Sequence, residues 1–214
     1  MGLMRPLESA YMAARQRVAD LVAADPARAT GPVPACPAWR VHDVVAHLTG
    51  LCTDILTGNV AGAATDPWTQ AQVDARRDTS LTEVLDEWAD AGPQVAAMVE
   101  DFPEPYGRQV VADLAVHEHD IRGALDRPGA RDSDAVDVGL AFLCNVLVAP
   151  AAEERGLAPV EDVLIADDFE LFRALTGRRS ADQIRALRWR VDPEPYVPLF
   201  GSGPFTVRAT ALVE

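Results

Sequence analysis

The chain has 214 residues and a formal net charge of −14, its 19 basic residues all being Arg against 33 acidic ones. This length accommodates one domain, or a larger and a smaller one. The acidic balance argues against nucleic acid and anionic membrane as main partners, and with 49 % hydrophobic residues the composition is that of an ordinary globular protein.

The opening stretch MGLMRPLESAYMAARQRVADL carries charges throughout and lacks the apolar core and cleavage pattern of a signal peptide. A cytoplasmic location is therefore expected. Residues 4–24 repeat apolar side chains at helical spacing through Met4, Leu7, Tyr11, Ala14, Val18, Leu21 and Val22. Pro26, Pro32, Pro34 and Pro37 then punctuate a loop. A second helix is predicted over 41–57, with Val44, His47, Leu48, Leu51 and Ile55 inward and Gly58 and Gly62 closing it. Residues 63–79 read as a connection with a helical turn near Trp68. Ser80 and Glu83 form the capping-box pattern that opens a third helix. Pro93 should kink or split it. A fourth helix follows over 108–126 and a fifth over 133–155, bent near Pro150. No apolar run reads as long enough to span a bilayer.

Beyond Gly156 the pattern changes. Residues 161–168 read as a short strand, DFELFRALTG and ADQIRAL as short helices, and LRWRV and FTVRATALV as strands. The expected fold class is mainly α: a bundle of four or five helices at 1–156, followed by a small α/β subdomain at 157–214.

Two of the helices put ligand-type side chains on an apolar stripe. Asp113 and His117 are four residues apart, hence on one face with Val110, Leu114, Ile121 and Leu125. His47 lies on the inward stripe between Val44 and Leu51. Polar groups on such faces need partners. Three donors from two helices can share one ion and leave a coordination position open, as in a catalytic zinc site. The remaining histidines face elsewhere. His42 sits about 140° around the helix from His47, and His119 reads as outward beside a surface Glu118–Arg122 pair. A metal-free core pair of Asp113 with His117, with Asp43 satisfying His47, fits the same spacing. Cys36, Cys52 and Cys144 form no CxxC, so no disulfide framework is expected, and Cys52 and Cys144 read as buried thiols.

The segment CPAWRVHDVVAHLTG resembles the signature of the mycothiol-dependent maleylpyruvate isomerase family, within the DinB-like four-helix-bundle superfamily. DLAVHEHDIRGAL resembles that family's second motif, and FELFRALTGRRSADQIRAL resembles a stretch of its C-terminal region. The resemblance implies that His47, Asp113 and His117 match the metal-ligand positions for a divalent ion, typically zinc. It also implies mycothiol or a similar thiol as cosubstrate. Asp120 matches the Asp of the second motif and, three residues from His117, is a candidate for orienting an imidazole. Asp43 is the corresponding candidate beside His47. Three departures stand out. Asp113 replaces a Glu that is one methylene longer, Arg40 replaces a small hydroxyl residue, and the tail is shorter than the sterol-carrier-like domain of the isomerases.

The expected function is thus a metal-dependent enzyme that uses a low-molecular-weight thiol as activated nucleophile, of isomerase or S-transferase type. Coordination to a dication favours the thiolate, which is the reactive form. The expected partners are that thiol and an electrophilic substrate, with no nucleic acid and no membrane; a homodimer is open. Two alternatives stand beside it: a metal-dependent hydrolase, and a non-catalytic bundle acting as a binding or regulatory protein. Arg173, Arg178 and Arg179 form a basic cluster that could meet a carboxylate of the cofactor. Ion pairs with Asp167, Asp168 and Glu170 are the competing reading.

Overall fold

The computed structural model describes residues 6–214, so Met4 of the first apolar stripe lies outside the described residues. The chain divides into two compact units, one ending at Gly129 and one running from Ala130 to Glu214.

The first unit is helical. It comprises α1 (Pro6–Ala23), α2 (Val41–Thr57), α3 (Asp66–Ala75), α4 (Leu81–Met98) and α5 (Tyr106–Leu125). α1 packs on α4 and α5, while α2 packs on α3, α4 and α5. Val18, Val44, Val45, Trp88, Val95, Val111 and Ile121 lie in the shared core, each inaccessible to solvent. The proline-punctuated loop before α2 is not structureless. It forms an antiparallel hairpin, β1 (Pro32–Val33) and β2 (Cys36–Arg40), in which Val33 pairs with Cys36 and Pro32 with Arg40. Both strands are edges, the position in a sheet that tolerates proline.

Two other expectations change. Pro93 lies within α4 without splitting it. One turn earlier the Arg15 guanidinium donates to the Trp88 carbonyl at 3.1 Å, tying this part of the helix to α1. The connection after α2 contains a full helix, α3, begun by Pro67 in its first turn and not merely a turn near Trp68.

In the second unit α6 (Asp134–Phe142) continues through a π-helical stretch, Leu143–Val148, into α7 (Ala149–Glu154). The widened stretch falls just before Pro150, whose missing N–H interrupts the α-helical ladder. Then follow α8 (Val160–Val163), β3 (Leu164–Ile165), α9 (Asp168–Leu175), α10 (Ala181–Ala186) and β4 (Arg188–Trp189). β3 and β4 pair antiparallel, Leu164 opposite Trp189. The stretch 205–213 does not form the expected strand; it contributes an isolated bridge between Arg208 and Ser180. The compact units divide at Gly129, with α6 packed on α9 within the second unit. The 21-residue stretch Asp134–Glu154 contains an 18-residue window of mean hydropathy 1.9, long and apolar enough by length and composition to cross a membrane. The sequence reading missed this. Forty-four per cent of that window is buried inside the protein.

Candidate metal centre

Every residue of this site comes from the first unit. α2 presents His47, with 5 % of its side chain exposed, and α5 presents Asp113 and His117, with 33 % and 10 % exposed. The two helices are in direct contact. His47 Nε2 lies 3.2 Å from Asp113 Oδ2, and His117 Nε2 lies 3.7 Å from Asp113 Oδ1. The three donor atoms are all within 4.8 Å of one another. Ligands at about 2.1 Å from a tetrahedral ion are about 3.4 Å apart, and the two shorter separations bracket that value. The Asp113 carboxylate therefore reaches the imidazoles despite being one methylene shorter than Glu. The Trp39 ring covers the pair, its centroid 5.4 Å from His47 and 5.8 Å from His117.

The partners of the two imidazoles decide which ring nitrogen carries the proton. Gln72 on α3 donates its amide N–H to Asp54 Oδ2 at 2.7 Å, which turns its carbonyl oxygen toward His47 Nδ1, also at 2.7 Å. A carbonyl oxygen only accepts, so His47 Nδ1 must carry hydrogen. His117 Nδ1 lies 3.0 Å from Asp120 Oδ2, and that carboxylate also only accepts. In the neutral tautomers both Nε2 atoms are then bare lone pairs, and both face the Asp113 carboxylate. Three acceptors converge with no hydrogen between them. A cation or an extra proton relieves this arrangement, so the donor set fits a divalent ion. The titration of His47 carries the same message. Burial disfavours its charged form, but the Asp113 charge and hydrogen bond, with Gln72, outweigh burial and raise its pKa above the ordinary value.

The structure brings His47, Asp113 and His117 together and sets Asp120 behind His117. It does not bring Asp43 to His47. The Asp43 carboxylate accepts the Arg40 backbone N–H at 2.8 Å, at the start of α2, and approaches His42 at 3.8 Å. His42 itself binds the Thr79 carbonyl at 2.8 Å, away from the site as expected. The reading of Glu118 and His119 as surface residues is also corrected. Both are buried, because α1, α2, β1 and the turn before α5 surround that helix. Glu118 is clamped by Arg17 at 2.7 Å and Arg122 at 2.9 Å.

The arginine cluster is engaged by the protein's own acidic and carbonyl groups, as the competing ion-pair reading expects. Arg173 is fully buried and pairs with Glu214, its Nε at 2.9 Å. Arg179 pairs with Glu170 at 2.8 Å and with Glu214 at 3.1 Å, and Arg178 donates to the Thr176 carbonyl at 2.6 Å. Asp167 caps α9 instead of pairing with an arginine.

Sequence reasoning missed Gln72, Asp54 and Cys36. One signal was available. Gly50 lies mid-helix in α2, where a Cβ would fall 2.5 Å from the Gln72 Cβ and 2.8 Å from the Arg76 guanidinium. Its lack of a side chain lets α3 approach closely enough for Gln72 to meet His47.

Comparison with curated proteins and with solved structures finds no match. A family model described as the mycothiol maleylpyruvate isomerase N-terminal domain matches residues 11–122. The matched span runs through α5 to Arg122 and holds every residue of the site. Because it covers more than half of the sequence, the chain belongs to the mycothiol maleylpyruvate isomerase N-terminal domain family.

Proposed function

We propose that this protein is a metal-dependent enzyme in which His47, Asp113 and His117 hold a divalent ion, zinc by choice of donors, and which employs a mycothiol-like thiol against an electrophilic carbon. One observation carries the reading. Two imidazoles whose Nδ1 atoms are fixed by Gln72 and Asp120 aim their Nε2 lone pairs at one carboxylate. When bound, the ion would stabilise the thiolate form of a thiol at neutral pH.

The chain's own residues supply the rest. Gln72 and Asp120 hold the two rings in the tautomer and orientation that leave Nε2 available. Asp54 holds Gln72. The half-buried Trp39 walls the rings on one side and limits water there. Asp113 is the most exposed of the three donors, so the thiol reaches the centre from its side. The reaction class proposed is isomerisation by thiol addition, bond rotation and thiol elimination, or S-transfer where the substrate carries a leaving group.

The test begins with metal-free protein. Added zinc at about 100 times its dissociation constant should stabilise it by about 2.7 kcal/mol, read as a rise in Tm. His47→Ala and His117→Ala should abolish that rise. In the zinc-loaded protein, mycothiol should raise Tm further and glutathione should do so less. A wild type that neither retains nor responds to zinc, nickel or cobalt overturns the metal centre. A zinc response with no response to mycothiol overturns the thiol reading and favours water as the activated nucleophile.

A further inference from the structure

We propose that Cys36, Asp120 and His117 form a second metal seat, selective for soft divalent ions, which shares the imidazole of His117 with the first. The hairpin β1–β2 delivers Cys36 to α5. Its Sγ lies 3.3 Å from Asp120 Oδ2, which lies 3.0 Å from His117 Nδ1. The three donor atoms are all within 4.8 Å of one another, a group distinct from the one formed through Nε2. Asp120 is buried and Cys36 half-buried, so the seat is walled on the α5 side and accessible from the hairpin. Two hard or borderline donors with one thiolate select soft or borderline ions over magnesium or calcium. The first group contains no sulfur, so the two differ in the ions they prefer.

The neutral imidazole has one ring proton, and this makes the seats alternatives. With an ion at Nε2 the proton stays on Nδ1, where Asp120 accepts it. With an ion at Nδ1 the Cys36 thiol proton leaves to solvent, and the ring proton moves to Nε2, facing Asp113 Oδ1 at 3.7 Å. A soft ion in the second seat therefore takes His117 away from the first and expels its occupant. Among the described residues Cys52 and Cys144 belong to no such group of three ligand-type donors. Burial raises the Cys52 thiol to about 11 and the Cys144 thiol to about 12, so both stay protonated at neutral pH.

Cadmium chloride titrated into the metal-free full chain tests the seat. A thiolate-to-cadmium charge-transfer band should grow in the ultraviolet and saturate near equimolar cadmium. His47→Ala breaks only the first group and should keep the band, so this result does not depend on the first centre holding zinc. Cys36→Ser, checked for an unchanged circular dichroism spectrum, should lose it. In zinc-loaded wild type, the band should rise in step with zinc release. Absence of a band in the wild type, or its persistence in Cys36→Ser, overturns the seat. A full band with zinc retained overturns the sharing of His117.

Discussion

Each unit of the protein buries a polar cluster, and the two clusters are built on opposite terms. In the second unit Arg173 and Arg179 meet Glu170 and Glu214, so each buried charge has a counter-charge already in contact. In the first unit the Asp113 carboxylate meets two imidazoles whose Nδ1 hydrogens point away, toward Gln72 and Asp120. The first arrangement is complete without any addition. The second is relieved by an added proton or by a bound cation. A closed cluster fixes structure and an open one invites a ligand, even though both read from sequence as polar residues among apolar neighbours.

The largest effect that would sharpen this comparison is expected in the closed cluster. Arg173 is fully buried, and removing it leaves Glu214, itself only 8 % exposed, without its nearest cation. Breaking a buried pair from one side costs about 3–5 kcal/mol. Arg173→Leu should lose stability of that order in urea unfolding, whether or not zinc is present. A cost below about 1 kcal/mol would show the cluster to be as weak as a surface pair, and the contrast would collapse.

Smaller and more specific effects belong to the open cluster. Gln72→Leu removes the acceptor that fixes His47 in its tautomer, and outer partners of this kind are worth about 10–100-fold in metal affinity. Zinc binding measured by competition with a chromophoric chelator should weaken by that factor, with metal-free stability changed far less. Gly50→Ala should act in the same direction, because its new methyl group drives α3 and Gln72 off α2. Zinc affinity unchanged in Gln72→Leu would mean that His47 needs no such orientation.

These residues show where sequence reading succeeded and where it stopped. His47, Asp113 and His117 were legible because helical periodicity alone places them on inward faces, and the partners across the interface follow from burial. Asp120 was legible because it lies on the same helix as its partner. Gln72 was not, because α3 carries only a weak apolar stripe and its approach to α2 depends on the absence of a side chain at Gly50. Asp43 was misread for a related reason: a carboxylate at the third position of a helix is drawn to the backbone N–H groups at its end. His119 and Glu118 were misread because periodicity assumes one wet face, and α5 has packing partners on every side. The strand expected at 205–213 had the right alternation but no second strand beside it along its length, so pairing stopped at Arg208.

The smallest expected effect lies at the edge of the closed cluster and depends on pH. The Arg179 guanidinium, through its hydrogen bonds and charge, holds the Glu170 carboxyl below its ordinary value near 4.5, against the opposing effect of burial. A carboxyl whose folded pKa is depressed binds fewer protons folded than unfolded, so its contribution to stability is complete above the unfolded pKa. It falls away as the pH drops from about 4.5 through the lower folded value. Glu170 is still 30 % exposed, so solvent screens the pair and the loss should not exceed about 1 kcal/mol. The slope of unfolding free energy against pH in that window should therefore be shallower in Glu170→Gln than in the wild type, with the two proteins' curves parallel above pH about 6. Equal slopes throughout would place the acid sensitivity elsewhere and leave Glu214 as the anion that closes the cluster. In the open cluster acid should act by another route, since protons compete there with the metal for the same Nε2 atoms. Acid titration of the zinc-loaded protein should accordingly release metal, a readout that the closed cluster cannot produce.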